Sequence, residues 1–540
     1  MARQKKYERK QLSFSTTMRS PERIADFVES LLDYEGQSLT DNLIHQIIIN
    51  WIIKKLIYGK TALDAYNDLK EIYYNEDLTY TIDQAEFIYT YIEKNTKGHK
   101  EAGFTKGWPS RFDTYLRLPM EFGFIYYKMN QPLEISETGK LIVQANKAYD
   151  LRLDKTSSST VKVSDIFLNA LVKYQTNNPF RRNEIENAPF VLFLQTITKL
   201  KEGFEWKKSG IYRSEIPFII CWRNADAYAL AEYINNFRLV YGLKPSDEIV
   251  YEHCLELLGS QNRKRFKMKQ ITKEGVDDFI RKLRSTGVIS LRGYGRLIDI
   301  NRFDIDRVNY IIKKYSNYPI IEDEKKYYQY MGKIDTKLVQ THTIVSSDRI
   351  ADLKLTTLKT WAQNMNTEDI IKEFKSLTSS KGTQHPILKF INTPTRFEFL
   401  MSIALKKQFP KLDIQPNYPI DDEGMPTSTA RGGVGDIEIY GMKIDVLVEV
   451  TMMRNKSQSV NEIPGIVRHL NEFKHDNKKT VYSLFVAPSI HEDTQFMIEF
   501  ALSRYHADIY PYTIEQFIKV WKNSKEISDF TVQACNNSIS

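Results

Sequence analysis

The chain has little cysteine and no long apolar run, and each shortage narrows what it can be. Three cysteines, Cys221, Cys254 and Cys535, are scattered over 540 residues. Spacings this wide build neither a disulfide framework nor a structural zinc site, so the thiols are expected as inert packing groups in a reducing compartment. No uncharged apolar stretch is long enough to cross a bilayer, and the N-terminal MARQKKYERKQ lacks the apolar centre of a secretory signal. The expected location is the cytosol, away from membranes.

What is present is ample apolar material: 42% hydrophobic residues over this length predict several cores and more than one domain. The formal net charge of +8 is mild. Basic clusters such as QNRKRFKMKQ (261–270) and NPFRRNE (178–184) concentrate it locally, which suits a polyanionic partner, a solvated face being the plainer reading of either cluster alone.

In chain order, residues 1–155 begin with the basic arm and continue through helical patterns such as LTDNLIHQIIINWIIKKLIYGK, with apolar residues recurring at three and four. FDTYLRLPMEFGFIYYKMNQPLEISETGKLIVQAN then runs from helix to a short hairpin and a new helix, the layout of a winged helix. A Ser/Thr-rich break, DKTSSSTVK (154–162), opens a second unit, 156–340. There, TKEGVDDFIRKLRSTGVISLRGYGRLIDIN repeats helix-then-hairpin, with Gly293 and Gly295 at the tip. Both units are expected to be mainly α, winged-helix-like and DNA-reading, although winged helices also mediate protein contacts. Residues 341–385 read as a helical linker.

The last domain, 386–540, is expected as an α/β fold: a helix over about 388–409, two strands within 436–451, then alternating helices and strands around a mixed sheet. GDIEIYGMKIDVLVEVT (435–451) is its most informative stretch. A turn at Met442 and Lys443 pairs position i with position 885 − i, placing Asp436 opposite Glu449. Asp436, Glu438, Asp445, Glu449 and Thr451 then share one face, and Ile437, Ile439, Ile444, Val446, Val448 and Val450 the other. Slipping the pairing by one residue would drive carboxylates into the apolar layer, so the alternation sets the register. Facing carboxylates repel and need a cation, either a neighbouring basic side chain or a divalent metal; carboxylates plus the main-chain carbonyl of Val450 are an oxygen set suited to Mg²⁺.

Asp436, then Glu449-Val450-Thr451, following a helix that carries Glu398, resembles the PD-(D/E)XK nuclease core. TRFEFLMSIA, the acidic hairpin, NEIPGIVRHLNEF and YSLFVAPSI together resemble the AlwI-like family of type IIS restriction endonucleases, which includes nicking enzymes. More weakly, the likeness extends to MRSPERI, FGFIYYKMNQPLEISETGKLI and DIFLNALVKYQ, so it spans most of the chain. It implies an endonuclease that binds a short asymmetric site in double-stranded DNA and cuts beside it with Mg²⁺, leaving a 5′-phosphate. Asp436, Glu449 and Val450 are then the expected metal ligands, Glu398 and Glu462 further acidic members, and His469 a polar partner. On a helix starting at or before Glu462, positions 462, 466, 469 and 473 share a face that can look toward the hairpin.

One departure stands out. Thr451 occupies the place where the superfamily carries Lys, and a hydroxyl supplies no positive charge; the AlwI-like branch shares this EVT form. A single acidic cluster cuts one strand at a time, so cutting both needs a transient homodimer or a partner subunit. Two rival readings are a non-catalytic winged-helix regulator and a structure-specific repair or junction nuclease with the same core.

Overall fold

The computed structural model describes residues 9–15, 17–75, 77–93, 108–147, 160–204, 210–379, 381–475 and 479–531. Most of the basic arm, most of the Ser/Thr-rich break and Cys535 lie outside them. Contacts divide the chain into two compact units, Met1–Tyr73 with Thr79–Thr343, and Tyr74–Leu78 with Ile344–Ser540. Among the described residues no helix is long and apolar enough to cross a membrane. Cys221 and Cys254 are buried free thiols.

The first unit is mostly helical, with two small sheets. Helix Trp108–Glu121 leads into paired strands Ile125–Tyr126 and Glu134–Ile135 and then helix Glu137–Lys147. Helix Gly275–Arg284, entered through a π-helical turn at Gln270–Glu274, leads into strands Ile289–Arg292 and Leu297–Ile300. A short strand, Ile211–Tyr212, adds to the outer side of Leu297–Ile300. At the tip of this hairpin Gly293, Tyr294 and Gly295 all take positive φ (55°, 57° and 76°), a reversal that glycine makes without steric cost. The expected boundary at 155/156 does not divide the unit into separate bodies, because one aromatic core crosses it. Phe122 meets Phe167 and Tyr174 at ring distances of 5.6 and 5.4 Å. Beneath them, buried Glu121 accepts the Tyr174 hydroxyl at 2.9 Å and the Arg181 guanidinium at 3.0 Å.

The second unit holds a mixed five-stranded sheet. Its strands are β1 (Asp413–Pro416), β2 (Ile437–Tyr440), β3 (Ile444–Val450), β4 (Thr480–Ala487) and β5 (Ile509–Thr513), in the order β5-β4-β3-β2-β1. β1 with β2 and β2 with β3 run antiparallel, while β3 with β4 and β4 with β5 run parallel. Each parallel step needs a crossover, and helices Ile463–His475 and Glu492–Tyr505 provide them. These helices bury Ile463, Ile466, Leu470 and Ile498 against Leu447, Val481 and Phe485 of the sheet. Strand β1 falls in a stretch expected as loop; four residues ending in proline carry too weak a pattern to show, and the edge of the sheet tolerates them.

Helices Ser347–Asn364 and Thr367–Leu377, expected within the linker, belong to this unit. Their apolar stripes pack on helix Thr393–Gln408: Trp361 meets Phe399 at 5.3 Å, Phe374 meets Phe397 at 6.3 Å, and Lys407 Nζ donates to the Ala362 carbonyl at 3.1 Å. From the other side Trp521 Nε1 donates to the Ala404 carbonyl at 2.8 Å. The helix that carries Glu398 is thereby clamped.

Candidate active site

The hairpin register is the expected one: Ile437 pairs with Val448, Glu438 with Leu447, Ile439 with Val446 and Tyr440 with Asp445, each pair summing to 885. Ile437, Ile439, Val446 and Val448 are fully buried on one face. The acidic face is also covered, because Leu447 packs beneath helix Ile463–His475. The carboxylates therefore sit in a polar seam at the sheet's end, not on an open surface.

Asp436, just before β2, accepts the Val450 N–H on Oδ2 at 2.8 Å, so the two strand ends are locked across the register. Gly435 is required beside it: a Cβ there would stand 2.3 Å from Leu447 Cδ1 and 3.2 Å from Glu449 Oε1. Asn417, directly after β1, holds this stretch from the other side, its N–H donating to the Asp436 carbonyl at 2.9 Å and its amide to the Gly435 carbonyl at 2.8 Å.

Glu398 reaches the seam from helix Thr393–Gln408, which starts at an Asn392 cap accepting the Thr395 N–H and has proline in its first turn. Glu398 is 3% exposed, and its Oε2 accepts the Ala430 N–H at 2.9 Å. Glu462 lies between helices Ser457–Asn461 and Ile463–His475. Its Oε1 accepts the Thr451 hydroxyl at 2.7 Å, and Thr451 Oγ1 accepts the Met453 N–H at 3.1 Å. His469 turns its Nδ1 to Glu449 Oε1 at 2.9 Å. On the same helix face Phe473 stacks obliquely on Tyr440 at 5.6 Å.

The electrostatics record how crowded these acids are. Burial pushes the Glu449 carboxyl up to about 8, helped by the negative charges of Glu462 and Glu438 and opposed by a backbone hydrogen bond from Asp436. Asp436 is raised by burial and by Glu449 and Glu462, against the pull of the Val450 N–H. Glu398 is raised by burial, then by Asp436 and Glu449. Burial raises Glu462 despite the Thr451 hydroxyl and His469. Burial and the neighbouring Arg468 push His469 down.

Among the described residues no set of three or more His, Cys, Asp or Glu side chains stands ready to hold a metal ion. In kind, however, the donors fit a hard divalent cation: they are carboxylate oxygens whose proton affinity is raised first by burial and then by one another's charge, and a cation among them offsets both.

The remaining acids of the face have other tasks. Asp445 is fully buried, its Oδ1 accepting the Gly441 N–H at 2.9 Å and Lys479 Nζ at 3.2 Å, which ties the hairpin turn. Glu438 accepts the Asn417 amide at 3.2 Å and the Tyr440 hydroxyl at 2.7 Å. Beside it opens a cleft of about 390 Å³ lined by Gly433, Val434, Gly435, Glu438, Tyr440, Leu447, His469, Glu472 and Phe473. Asn417 and the Ala430 N–H escaped sequence reasoning because nothing local marks a residue whose partner lies tens of positions away. The hydroxyl of Thr451, noted only as a missing lysine, escaped it as well, since Glu462 comes back to it only after the helix Ser457–Asn461.

The family model described as AlwI restriction endonuclease matches residues 120–392 and 347–520. The chain belongs to the AlwI restriction endonuclease family. Membership indicates a nuclease that binds DNA. The family match takes in the whole acidic hairpin, Glu398, Glu462 and His469, and it begins after the MRSPERI stretch. No curated protein matches. Among solved structures, the small subunit of the heterodimeric restriction endonuclease R.BspD6I is similar at 24% identity, covering 31% of this chain and 87% of that one with a TM-score of 0.27. Restriction endonuclease FokI is similar at 11% identity, covering 98% of both chains, also with a TM-score of 0.27. FokI bound to DNA matches at 12% identity over 96% of both chains, with a TM-score of 0.23.

Proposed function

We propose that this family member is a type IIS site-specific DNA endonuclease whose second unit is a PD-(D/E)XK-type nuclease domain. The observation that supports it most is that acids from separate elements lie within reach of one another's charge: Glu398 from a helix, Asp436 and Glu449 from opposed strand ends locked by the Val450 N–H, and Glu462 from the following crossover. Asp436, Glu449 and the Val450 carbonyl would hold Mg²⁺. When bound there, the ion supplies positive charge to the approaching phosphate and acidity to its water.

The chain's own groups do the rest. Glu462, held by Thr451, orients the attacking water and takes its proton as the water oxygen adds to phosphorus. The bond to the 3′ oxygen breaks, the leaving oxygen takes a proton from solvent, and the product carries a 5′-phosphate. His469 steers the Glu449 carboxyl, and the Ala430 N–H steers Glu398. The two helix-then-hairpin passages of the first unit act as winged helices that read double-stranded DNA, with their Arg and Lys residues anchoring phosphates. With one such cluster among the described residues of a chain, cutting both strands takes a second copy or a partner subunit.

Plasmid cleavage in Mg²⁺ followed by sequencing of the cut ends tests this reading. One offset from one short motif, lost in Asp436→Ala and Glu449→Ala, is the expected result. Retention of uncut plasmid would instead favour a regulator, and cuts that follow DNA structure would favour a repair nuclease.

A further inference from the structure

With lysine absent at position 451, the charge it would bring to the substrate phosphate falls to the metal or to another side chain. Thr451 is already engaged on both sides, by Glu462 and by the Met453 N–H. His469 spends Nδ1 on Glu449, and Arg468 stands 3.5 Å from its other nitrogen.

The segment between Ala430 and Asp436 offers a different candidate. Its start is pinned by the Ala430 N–H on Glu398, and its end by Asn417 on the Gly435 and Asp436 carbonyls. Between those pins lie Arg431, Gly432, Gly433 and Val434, all exposed. Gly433 has φ +93° and open space where a Cβ would be, so nothing packs against the strap at that point. Gly433, Val434 and Gly435 form one wall of the cleft beside Glu438 and His469. Among the described residues no hydrogen bond or ion pair engages the Arg431 side chain, which follows directly on the residue bonded to Glu398.

Resting on the nuclease reading above, we propose that Arg431 grips the scissile phosphate and supplies the positive charge that Thr451 cannot. A guanidinium binds two non-bridging phosphate oxygens through parallel N–H donors and stays charged at any working pH. Tethering the strap at both ends limits where the side chain can go, and its glycines let it close on a strand that enters the cleft. Attraction from Arg431 offsets the repulsion between the phosphate and the surrounding carboxylates. Arg431 makes and breaks no covalent bond.

The experiment compares the full-length wild type, Arg431→Ala and Arg431→Lys on a duplex containing the mapped cut position. Single-turnover cleavage in Mg²⁺ and DNA affinity in EDTA are both measured, the latter with a normal or an uncharged methylphosphonate linkage at that position. The expected result is cleavage slowed at least ~10-fold in Arg431→Ala and partly recovered in Arg431→Lys, with an unchanged melting temperature. In EDTA the methylphosphonate should penalise wild-type binding several-fold more than it penalises Arg431→Ala. Cleavage by Arg431→Ala within twofold of wild type, or the same methylphosphonate ratio in both proteins, overturns the proposal. Absence of cleavage by the wild type overturns the nuclease reading itself, and this inference with it.

Discussion

Replacing Thr451 by valine removes one hydroxyl and keeps the side chain's shape, so it isolates what that hydroxyl does. The lost bond is an O–H donated to the Glu462 carboxyl at 2.7 Å, and the Met453 N–H loses its acceptor at the same time. A hydrogen bond to a charged group contributes about 1.5–3 kcal/mol, and the freed N–H, half-buried, recovers some of its loss from water. The expected cost is about 2 kcal/mol, which lowers the melting temperature of a unit of roughly 200 residues by about 4–8 °C. At 25 °C a unit stable by about 5–15 kcal/mol stays folded after such a loss, so any slower reaction comes from the site and not from unfolding. In the proposed mechanism Glu462 orients the attacking water, so without its anchor single-turnover cleavage should fall by about 10–100-fold. Affinity for the cognate duplex in EDTA should stay within about twofold, since Thr451 is 9% exposed and its hydroxyl is satisfied within the fold. Thr451→Ser keeps the donor and should recover most of the rate. A Thr451→Val protein that cleaves at the wild-type rate, or a Thr451→Ser protein as slow as Thr451→Val, would show that this hydroxyl does not position Glu462.

Other substitutions separate the structural acids from those proposed to take part in the reaction. Asp445→Asn should weaken the hairpin turn by about 1–3 kcal/mol in urea unfolding yet cleave within about threefold of wild type, whereas Asp436→Asn should lose at least ~10²-fold in rate. Trp521→Phe leaves the buried Ala404 carbonyl without its indole donor and should cost about 1–3 kcal/mol, read by urea denaturation, with the cleavage rate at 25 °C unchanged. In the first unit, burial would raise Asp335, but hydrogen bonds from Lys314, Tyr315, Tyr310 and the Leu338 N–H more than offset it and hold the carboxyl below its ordinary value. Its contribution to stability is therefore complete above about pH 4 and is lost as pH falls through the lower folded value, so Asp335→Asn should flatten the acid limb of the melting profile.

Much of the site was legible in the chain because the information was local. A period of two over residues 435–451 allows a single pairing that keeps carboxylates out of the apolar layer, and the structure pairs Ile437 with Val448 as that constraint requires. Helical spacing likewise put His469 on the face of its helix that meets Glu449. The same pattern could not separate the acids from one another. Asp445 and Glu449 alternate alike in sequence, yet Lys479 and the Gly441 N–H claim the first, while the second meets His469 and the neighbouring carboxylates.

Sequence alone determined the strand register of the acidic hairpin, the order of helices and strands from that hairpin onward, and the family to which the chain belongs. Tertiary structure decided that helices Ser347–Asn364 and Thr367–Leu377 pack with the sheet, that Asp413–Pro416 adds an edge strand, and that Asn417, Ala430 and Thr451 hold the acids in place. The physical reason is range. Periodicity reports which side of an element is apolar, whereas a carboxylate's character depends on which donors and charges the folded chain brings back to it from far along the sequence.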